Sequence, residues 1–495
     1  MNRKKAIIIG SGVAGLATAI RLAVDNFDVQ VFESNDYPGG KLSVFENKGY
    51  RFDAGPSLFT QPDLIEAIFS YANEPIEPHF TFQKADVSCR YFYENGKHII
   101  GYADKEKFDK ELATKCNEKP GTLNQYLNEA EKLYNNIGRI FLDYSLHKKG
   151  TWIQRKIIKA IFSLKTSYLF GTMNSHNKSV FRSEETVQLF NRFATYNGSN
   201  PFKAPGMLSV IPHLEMNQGT FYPKGGMISI TNALYQLAIK KGVQFRFNSS
   251  VTQILTEQKK AIGVVSNNQH YLADLVVSNA DVYKTYKHLL GDSSKTKKLI
   301  KLERSSSALI FYWGIKKEFK DLGLHNILFS KNYQEEFKHL FEHKTLYEDP
   351  TIYINITSKM EKGQAPEGCE NWFVMINAPA NYGQDWKDIT HKARKAAIEK
   401  INRLLGTDIE EAIETETIMD PVVIEEKTGT HLGSLYGTSS NSKWAAFLRP
   451  ANFSNKIKGL YFCGGTVHPG GGIPLCLKSA QITTELIKKD HEKKH

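Results

Sequence analysis

Cysteine is scarce in this sequence and follows no pattern. The 495 residues include five cysteines, Cys89, Cys116, Cys369, Cys463 and Cys476. Their odd number and wide spacing, without any CxxC pair, predict neither a disulfide framework nor a metal site, and they fit a reducing compartment. We therefore expect a cytoplasmic protein without a bound metal.

Long apolar runs, internal repeats and low-complexity segments are also missing from the sequence. No stretch reaches the roughly 18 uninterrupted apolar residues that a bilayer-spanning helix needs. The sequence therefore predicts no transmembrane helix. We expect a chain that is soluble or lies on a membrane surface.

The composition is that of a folded globular protein, with 41% hydrophobic and 23% charged residues. A chain of this length predicts two or three substructures with cores of their own. The formal net charge of +12 is compatible with an anionic membrane surface, an acidic ligand or nucleic acid, and equally with solubility alone. We expect no nucleic-acid partner, and the oligomeric state stays open.

The most informative motif is a glycine turn near the N-terminus. Gly10, Gly12 and Gly15 follow the apolar run Ala6 to Ile9, and Glu33 ends the next expected strand. In a dinucleotide-binding turn the first glycine permits the tight turn, the second lets a pyrophosphate approach the backbone, and the third allows close helix–strand packing. The following helix N-terminus offers free N–H groups to phosphates. The pattern predicts a Rossmann-type dinucleotide site.

Three separate blocks have this α/β character. Expected strands of the second block are Val243–Phe247, Val251–Leu255, Ala261–Ser266 and Leu275–Ser278, after a helix from Met227 to Lys241. The sequence predicts a discontinuous cofactor domain and two inserted segments. The cofactor domain comprises 1–75, 218–290 and 421–495, whereas 76–217 is mainly helical and 291–420 mixes strands with a long helix. A cleft between such parts is a common ligand site.

Further runs carry a family resemblance. Gly39-Gly40-Lys41 and the run Asp53 to Ser57 resemble the glycine-rich FAD family that contains amine oxidases and carotenoid desaturases. The run Gly459 to Pro474 resembles the signature that closes phytoene-desaturase-type carotenoid desaturases. Tyr222 to Met227 and Ala365 to Val374 agree with it. The chain is identified as a member of that family along essentially its whole length.

The resemblance implies a fold, a cofactor and a set of contacts. The expected fold is α/β, a Rossmann-type FAD-binding domain of the amine oxidase/glutathione reductase-like class with an inserted mixed α+β substrate domain. The expected cofactor is non-covalent FAD. Its expected contacts are Gly10, Gly12, Ala14, Gly15, Glu33, Gly40, Lys41, Gly55, Pro56, Ser57, Val251, Gly464, Gly465, Gly472, Ile473 and Pro474.

The resemblance also implies a reaction. The expected activity is introduction of a C=C bond into a long polyene, most similar to 3,4-desaturation beside a hydroxylated end group. The flavin takes a hydride and a proton leaves the adjacent carbon, so the protein supplies an apolar channel. Candidate proton acceptors are His213, Glu215 and His468, each of which could equally be structural or orient the substrate, for example by binding its hydroxyl.

Several alternatives stay open. The rival enzymes are a phytoene desaturase and a flavin-dependent carotenoid isomerase or saturase, and an amine oxidase is more distant. A GDP-dissociation-inhibitor-like protein that shields prenyl groups is a non-enzymatic alternative. Residues 147–168 have apolar side chains at helical spacing among basic ones, which is typical either of an in-plane membrane helix or of an ordinary surface helix. The resemblance favours peripheral membrane association, because carotenoids reside in bilayers.

Overall fold

The computed structural model describes residues 3–153, 168, 171–442 and 449–492. The strands of this part are β1 Lys5–Ile9, β2 Asp28–Phe32, β3 Val44–Asn47, β4 Tyr50–Asp53, β5 Phe82–Lys84, β6 Val87–Phe92, β7 His98–Tyr102, β8 Phe221–Pro223, β9 Gln244–Arg246, β10 Val251–Glu257, β11 Lys260–Ser266, β12 Gln269–Leu272, β13 Leu275–Ser278, β14 Ser307–Ile315, β15 His325–Leu328, β16 Ile352–Ile356, β17 Glu370–Ala378, β18 Ile413–Met419 and β19 Leu460–Phe462.

The α-helices of the same part are numbered in chain order. They are α1 Val13–Val24, α2 Asp63–Tyr71, α3 Lys105–Cys116, α4 Thr122–Leu133, α5 Arg139–Asp143, α6 Lys149–Trp152, α7 Met173–Val180, α8 Glu184–Asn191, α9 Ile228–Lys240, α10 Val282–Lys284, α11 Ser293–Leu299, α12 Tyr333–Lys338, α13 Trp386–Leu405, α14 Pro421–Thr428 and α15 Ile473–Glu492.

A five-stranded parallel sheet, in the order β19-β13-β1-β2-β9, is assembled from distant parts of the chain. Its central strand β1 is apolar throughout Ala6 to Ile9, because both faces of the sheet are covered. Helices α1, α9 and α15 contribute to the core on one face. Side chains of β10 and β11 pack on the other face. Strands β10 and β11 form a separate antiparallel sheet with β12. The sequence predicted β10 and β11 as strands, but neither β12 nor the separation of this sheet.

A second, seven-stranded sheet has the order β18-β14-β17-β16-β15-β6-β7. Every residue of β14 is buried, because helix α13 covers one face and Tyr50, Phe52 and Ile424 pack near the other. All neighbours in the sheet are antiparallel except β15 and β6, which pair in parallel.

This sheet corrects the expected organisation. Strands β6 and β7 lie within 76–217, which we predicted to be mainly helical and separate from 291–420, yet they extend the sheet built by the latter segment. Arg90 pairs with Asn326 across that junction. Local sequence pattern does not specify such a pairing, because the partners are remote in the chain. The two segments therefore share one sheet.

Helices α3, α4, α7 and α8 pack on the β6, β7 and β15 end of the sheet through a core that includes Phe108, Phe190 and Phe329. None of the helices in the described ranges combines the length and apolarity required to cross a membrane. Of the predicted basic helix 147–168, residues 154–167 lie outside the described residues.

We expect Trp313→Ala to destabilise the protein strongly. Trp313 is 0% exposed in β14, and its Nε1 donates to Glu416 Oε2 at 2.6 Å. Emptying this site is expected to cost about 3–5 kcal/mol of unfolding free energy. Thermal denaturation of the two proteins measures it. The control Leu272→Ala, at a side chain that is 66% exposed on β12, is expected to stay within about 0.5 kcal/mol. Equal melting temperatures for all three proteins would contradict this description of the core.

Candidate active site

The loop between β1 and α1 presents an uncapped helix N-terminus. Gly10 turns the chain with φ 93°, a conformation that favours glycine. Gly12 is the N-cap of α1, makes no side-chain capping bond, and no acidic residue lies in the first turn. The N–H groups of the first turn are therefore available to an anion, and the helix dipole favours negative charge there.

Asn279, directly after β13, explains why this loop needs glycine. Its Nδ2 donates to the Gly10 carbonyl at 3.4 Å. A Cβ at Gly12 would lie 2.9 Å from Asn279 Nδ2, and one at Gly464 would lie 2.6 Å from its Oδ1. A Cβ at Gly15 would lie 2.1 Å from the Gly10 carbonyl oxygen. Asn279 was not predicted as a site residue, because its only signal in the sequence was its position directly after the expected strand Leu275–Ser278.

Glu33 holds the same loop in place. One carboxylate oxygen accepts bonds from the backbone N–H and the hydroxyl of Ser11, both at 2.8 Å. The other accepts from the backbone N–H of Asn35 at 3.0 Å. The side chain is 5% exposed and lines the adjoining cavity. The expected contact of Glu33 with FAD stays a prediction. Its hydrogen bonds to the loop are a structural role that the sequence did not predict.

A cavity of about 850 Å³ begins at this loop. The sequence-predicted residues that line it are Gly10, Gly12, Ala14, Glu33, Gly40, Lys41, Gly55, Pro56, Ser57, Glu215, Val251, Gly465, His468, Gly472, Ile473 and Pro474. Gly15, Gly464 and His213 are not among its lining residues. The structure thus brings the N-terminal and C-terminal glycine loops to one cavity. Gly15 and Gly464 lie behind its wall, where the lack of a side chain permits close packing.

Lys41 adds a partly buried positive charge to the cavity wall. Its Nζ donates to the Leu435 carbonyl at 2.8 Å, and burial lowers the pKa of the ammonium group. Gly55 lies against this residue so closely that a Cβ there would be 1.8 Å from the Lys41 carbonyl oxygen. A partly buried ammonium with a neutral acceptor suits an anionic or strongly polar ligand.

The C-terminal loop between β19 and α15 also lines the cavity, through Gly465 and Gly472. Helix α15 begins at Ile473, with Pro474 in its first turn. The Gly464 N–H donates to Ser479 Oγ at 3.1 Å, which ties the loop to this helix. A Cβ at Gly472 would meet nothing within 4 Å, so that glycine leaves open space at the cavity wall.

These features fit FAD. The uncapped N-terminus of α1 and the Cβ-free surface of Gly12 suit a pyrophosphate. The helix α15 N-terminus and the open glycine wall suit the flat isoalloxazine ring, whose pyrimidine edge gains negative charge on reduction. Among the described residues no group of three or more His, Cys, Asp or Glu side chains could hold a metal ion.

The cavity continues beyond the loops along one face of the seven-stranded sheet. Ile310, Phe373 and Met375 line it there, and apolar side chains of the helical segment, such as Phe141 and Leu214, line the other side. This part is therefore mostly apolar, which suits a long hydrocarbon ligand.

Glu215 lies in the cavity wall but its carboxylate is already bonded. Arg192 Nη2 donates to Glu215 Oε1 at 2.6 Å, and the Tyr196 hydroxyl donates to Oε2. Burial disfavours the guanidinium charge, yet the Glu215 carboxylate raises the pKa of Arg192 well above its ordinary value. The pair is thus a fixed ion pair, which makes Glu215 a poor candidate for proton transfer.

The two histidine candidates differ in position. His213 packs on Tyr134 with ring centroids 5.0 Å apart, and its Nδ1 contacts Asn217 Nδ2 at 2.7 Å. It lies behind the cavity wall, so the structure gives it no access to a ligand there. His468 lines the cavity, and its Nε2 donates to the Tyr144 carbonyl at 2.9 Å. Burial lowers the pKa of His468 to about 4, so its ring is neutral at pH 7.

An α/β chain with a dinucleotide-binding turn, a partly buried lysine and two helix N-termini on one cavity defines a Rossmann-type, FAD-binding oxidoreductase. The chain matches the family described as flavin containing amine oxidoreductase over residues 13–487. It is 50% identical over 484 residues to the 1-hydroxycarotenoid 3,4-desaturase of a Flavobacterium species, which covers 98% of this chain and 99% of that protein. It therefore belongs to the flavin-containing amine oxidoreductase family, among relatives that are carotenoid desaturases.

Other relatives agree. The phytoene desaturase of Fusarium fujikuroi is 31% identical over 526 residues, covering 99% of this chain and 90% of that protein. The structure of an oxidoreductase from Methanosarcina mazei has a TM-score of 0.63 at 16% identity, covering 97% of this chain and 100% of that one, a likeness that concerns the fold alone. The predicted family, fold class and FAD cofactor are confirmed.

We expect Gly12→Val to abolish flavin retention. The branched side chain would collide with Asn279 and fill the space that a pyrophosphate needs beside the helix N-terminus. The measurement is the ratio of flavin to protein absorbance after purification. Gly150→Ala is the matched control, because a Cβ at Gly150 meets nothing within 4 Å and α6 is helical there. A Gly12→Val protein as yellow as the control would disprove this placement of the phosphate.

Proposed function

We propose that this protein is an FAD-dependent carotenoid desaturase that forms a C=C bond in a long polyene, acting at the 3,4 bond of a 1-hydroxy carotenoid. The observation that carries the proposal is the single cavity that begins at the glycine loops and continues along the apolar sheet face. A cofactor and a long hydrocarbon can meet only in such a shared space. The 50% identical relative named as a 1-hydroxycarotenoid 3,4-desaturase supports the choice of bond.

The proposal assigns roles to parts of the chain. Residues 1–75, 218–290 and 421–495 form the FAD-binding domain, and the predicted lining residues hold the cofactor. FAD, when bound, accepts the hydride that leaves the substrate. The apolar side chains along β14 and β17 hold the polyene and exclude water, and His468, the neutral imidazole of the cavity wall, is the candidate for receiving the departing proton.

A substrate comparison tests the proposal. Flavin-loaded protein is mixed with liposomes that contain an acyclic 1-hydroxy carotenoid, the same polyene without the hydroxyl, or colourless phytoene. We expect a red shift of the polyene absorption with the hydroxylated compound, because each added double bond lengthens the conjugated system. Conversion of phytoene alone would favour the phytoene desaturase alternative and refute the assigned bond. Tight polyene binding without any spectral change, in protein that retains flavin, would favour the prenyl-binding alternative.

We further propose that the protein works at a membrane surface. Trp152 and Ile153, at the start of the predicted basic helix 147–168, are 39% and 77% exposed, and Lys148 precedes them. Exposed large apolar side chains beside basic ones favour insertion into an anionic interface. An enzyme that docks in this way can take its polyene directly from the bilayer.

We expect Ile153→Glu to weaken binding to anionic vesicles, because it places a negative charge in the proposed interface. Flotation with vesicles containing anionic lipid measures the bound fraction. Leu272→Glu is the matched control, since Leu272 is 66% exposed on β12 in a different part of the surface. Equal flotation of both variants, or no flotation of the wild type, would reject the membrane proposal.

A further inference from the structure

Two polar side chains, His325 and Tyr353, interrupt the apolar wall that the seven-stranded sheet contributes to the cavity. His325 begins β15, and Tyr353 lies on the neighbouring strand β16, both with side chains on the sheet face that lines the cavity. The Tyr353 hydroxyl is 2.8 Å from His325 Nδ1 and 2.8 Å from Ser57 Oγ. Ser57 belongs to the predicted FAD-contact run, so this chain of three side chains connects the cofactor end of the cavity to its substrate wall.

The hydrogen bonds of His325 determine its tautomer. Asn355, paired with His325 across the two strands, places Nδ2 at 3.2 Å from His325 Nδ1 and donates from the same nitrogen to the Leu324 carbonyl at 3.0 Å. An amide nitrogen can only donate, so His325 Nδ1 must accept. Burial lowers the pKa of His325 to about 3, which leaves the ring neutral. The single ring proton therefore resides on Nε2.

That Nε2–H is a buried donor with no hydrogen-bond acceptor among the described residues, in a side chain that is 3% exposed. A buried donor without a partner costs free energy that a ligand acceptor can restore. The neighbouring ion pair does not fill this role, because the Glu215 carboxylate already accepts from Arg192 Nη2 and from the Tyr196 hydroxyl. Arg192 Nε is itself a buried donor without a hydrogen-bond partner among the described residues, so it cannot satisfy His325 Nε2–H either.

We propose that His325, held by Tyr353 and Ser57, binds the hydroxyl oxygen of the substrate's end group and thereby sets the preference for hydroxylated over hydroxyl-free polyenes. The inference rests on the proposed function and deepens it. His325 Nε2–H donates to the alcohol oxygen, while Tyr353, itself bonded to Ser57, holds the opposite ring nitrogen, Nδ1, and so fixes the direction of the donor. A site built to bond a hydroxyl rejects an analogue that lacks it, because its own polar groups then stay unpaired.

The position suits the chemistry of a 3,4-desaturation. The hydroxyl-bearing carbon is C1 and the bond that becomes double is C3–C4, so one carbon separates them. A group that binds this hydroxyl must consequently lie next to the cofactor. Ser57, in the predicted FAD-contact run, is joined to His325 through a single tyrosine.

The test compares kcat/KM for a 1-hydroxy carotenoid and its hydroxyl-free counterpart in flavin-loaded protein. We expect His325→Phe, which keeps a flat ring but removes the donor, to lower the ratio roughly 10-fold or more, mainly through the hydroxylated compound. Tyr353→Phe, a positioning variant that retains its ring, is expected to lower it in the same direction. Equilibrium binding of the hydroxylated product, followed by its polyene absorption, provides a readout independent of turnover and is expected to weaken in parallel.

The matched control is His98→Phe. His98 lies in the same sheet, on β7, stacks on Phe92 and also has a buried Nε2 without a partner, but it does not line this cavity. Its substitution is expected to leave the ratio unchanged. An unchanged ratio in both His325→Phe and Tyr353→Phe with flavin retained, or an equal loss in His98→Phe, would overturn the proposal. A wild type that converts neither carotenoid would instead refute the proposed function, and this inference with it.

Discussion

The rest of the site depends on the close packing of three glycines against the side-chain amide of Asn279. Asn279 follows β13, the strand between β1 and β19, and its amide reaches Gly10, Gly12 and Gly464. A Cβ at Gly12 or Gly464 would come within 3 Å of this amide, so a side chain at either position would displace Asn279 or the loop. Because the loops before α1 and α15 both pack on this amide, the N-termini of these two helices face the same cavity. The charge preference of those N-termini then follows from the backbone alone.

The seven-stranded sheet forms the substrate end of the cavity. One face of the seven-stranded sheet is sealed by α13, whereas the other supplies the cavity wall at Ile310, Phe373 and Tyr353. A sheet wall is rigid, so polar groups set into it keep their positions better than groups on loops. The apolar surface suits a polyene, and the few polar side chains in it are the groups to which we assign recognition of the substrate's end.

Local signals predicted much of the cofactor end. Gly10 to Gly15, Glu33 and the Gly459 to Pro474 run combine residue type with spacing, and the structure places most of them around one cavity. The strand Leu275–Ser278 was predicted with its observed bounds. The substrate end was harder. His325 and Tyr353 lie on β15 and β16, and only the tertiary pairing of these strands brings their side chains together, so neither could be assigned to a site from the sequence. Glu215 and His213 were singled out as candidate proton acceptors, but their partners, Arg192 and Asn217, became visible only in three dimensions.

In the proposed desaturation, oxidation of the polyene and reduction of the bound flavin are one event. Anaerobic mixing of flavin-loaded protein with an equimolar 1-hydroxy carotenoid is the sharpest test, because no other electron acceptor is present. We expect the visible flavin bands to fade as the polyene absorption shifts to the red, with one new double bond for each flavin reduced. A polyene change that leaves the flavin oxidised would indicate isomerisation and would refute desaturation by this flavin, as would a lasting absence of change in either spectrum.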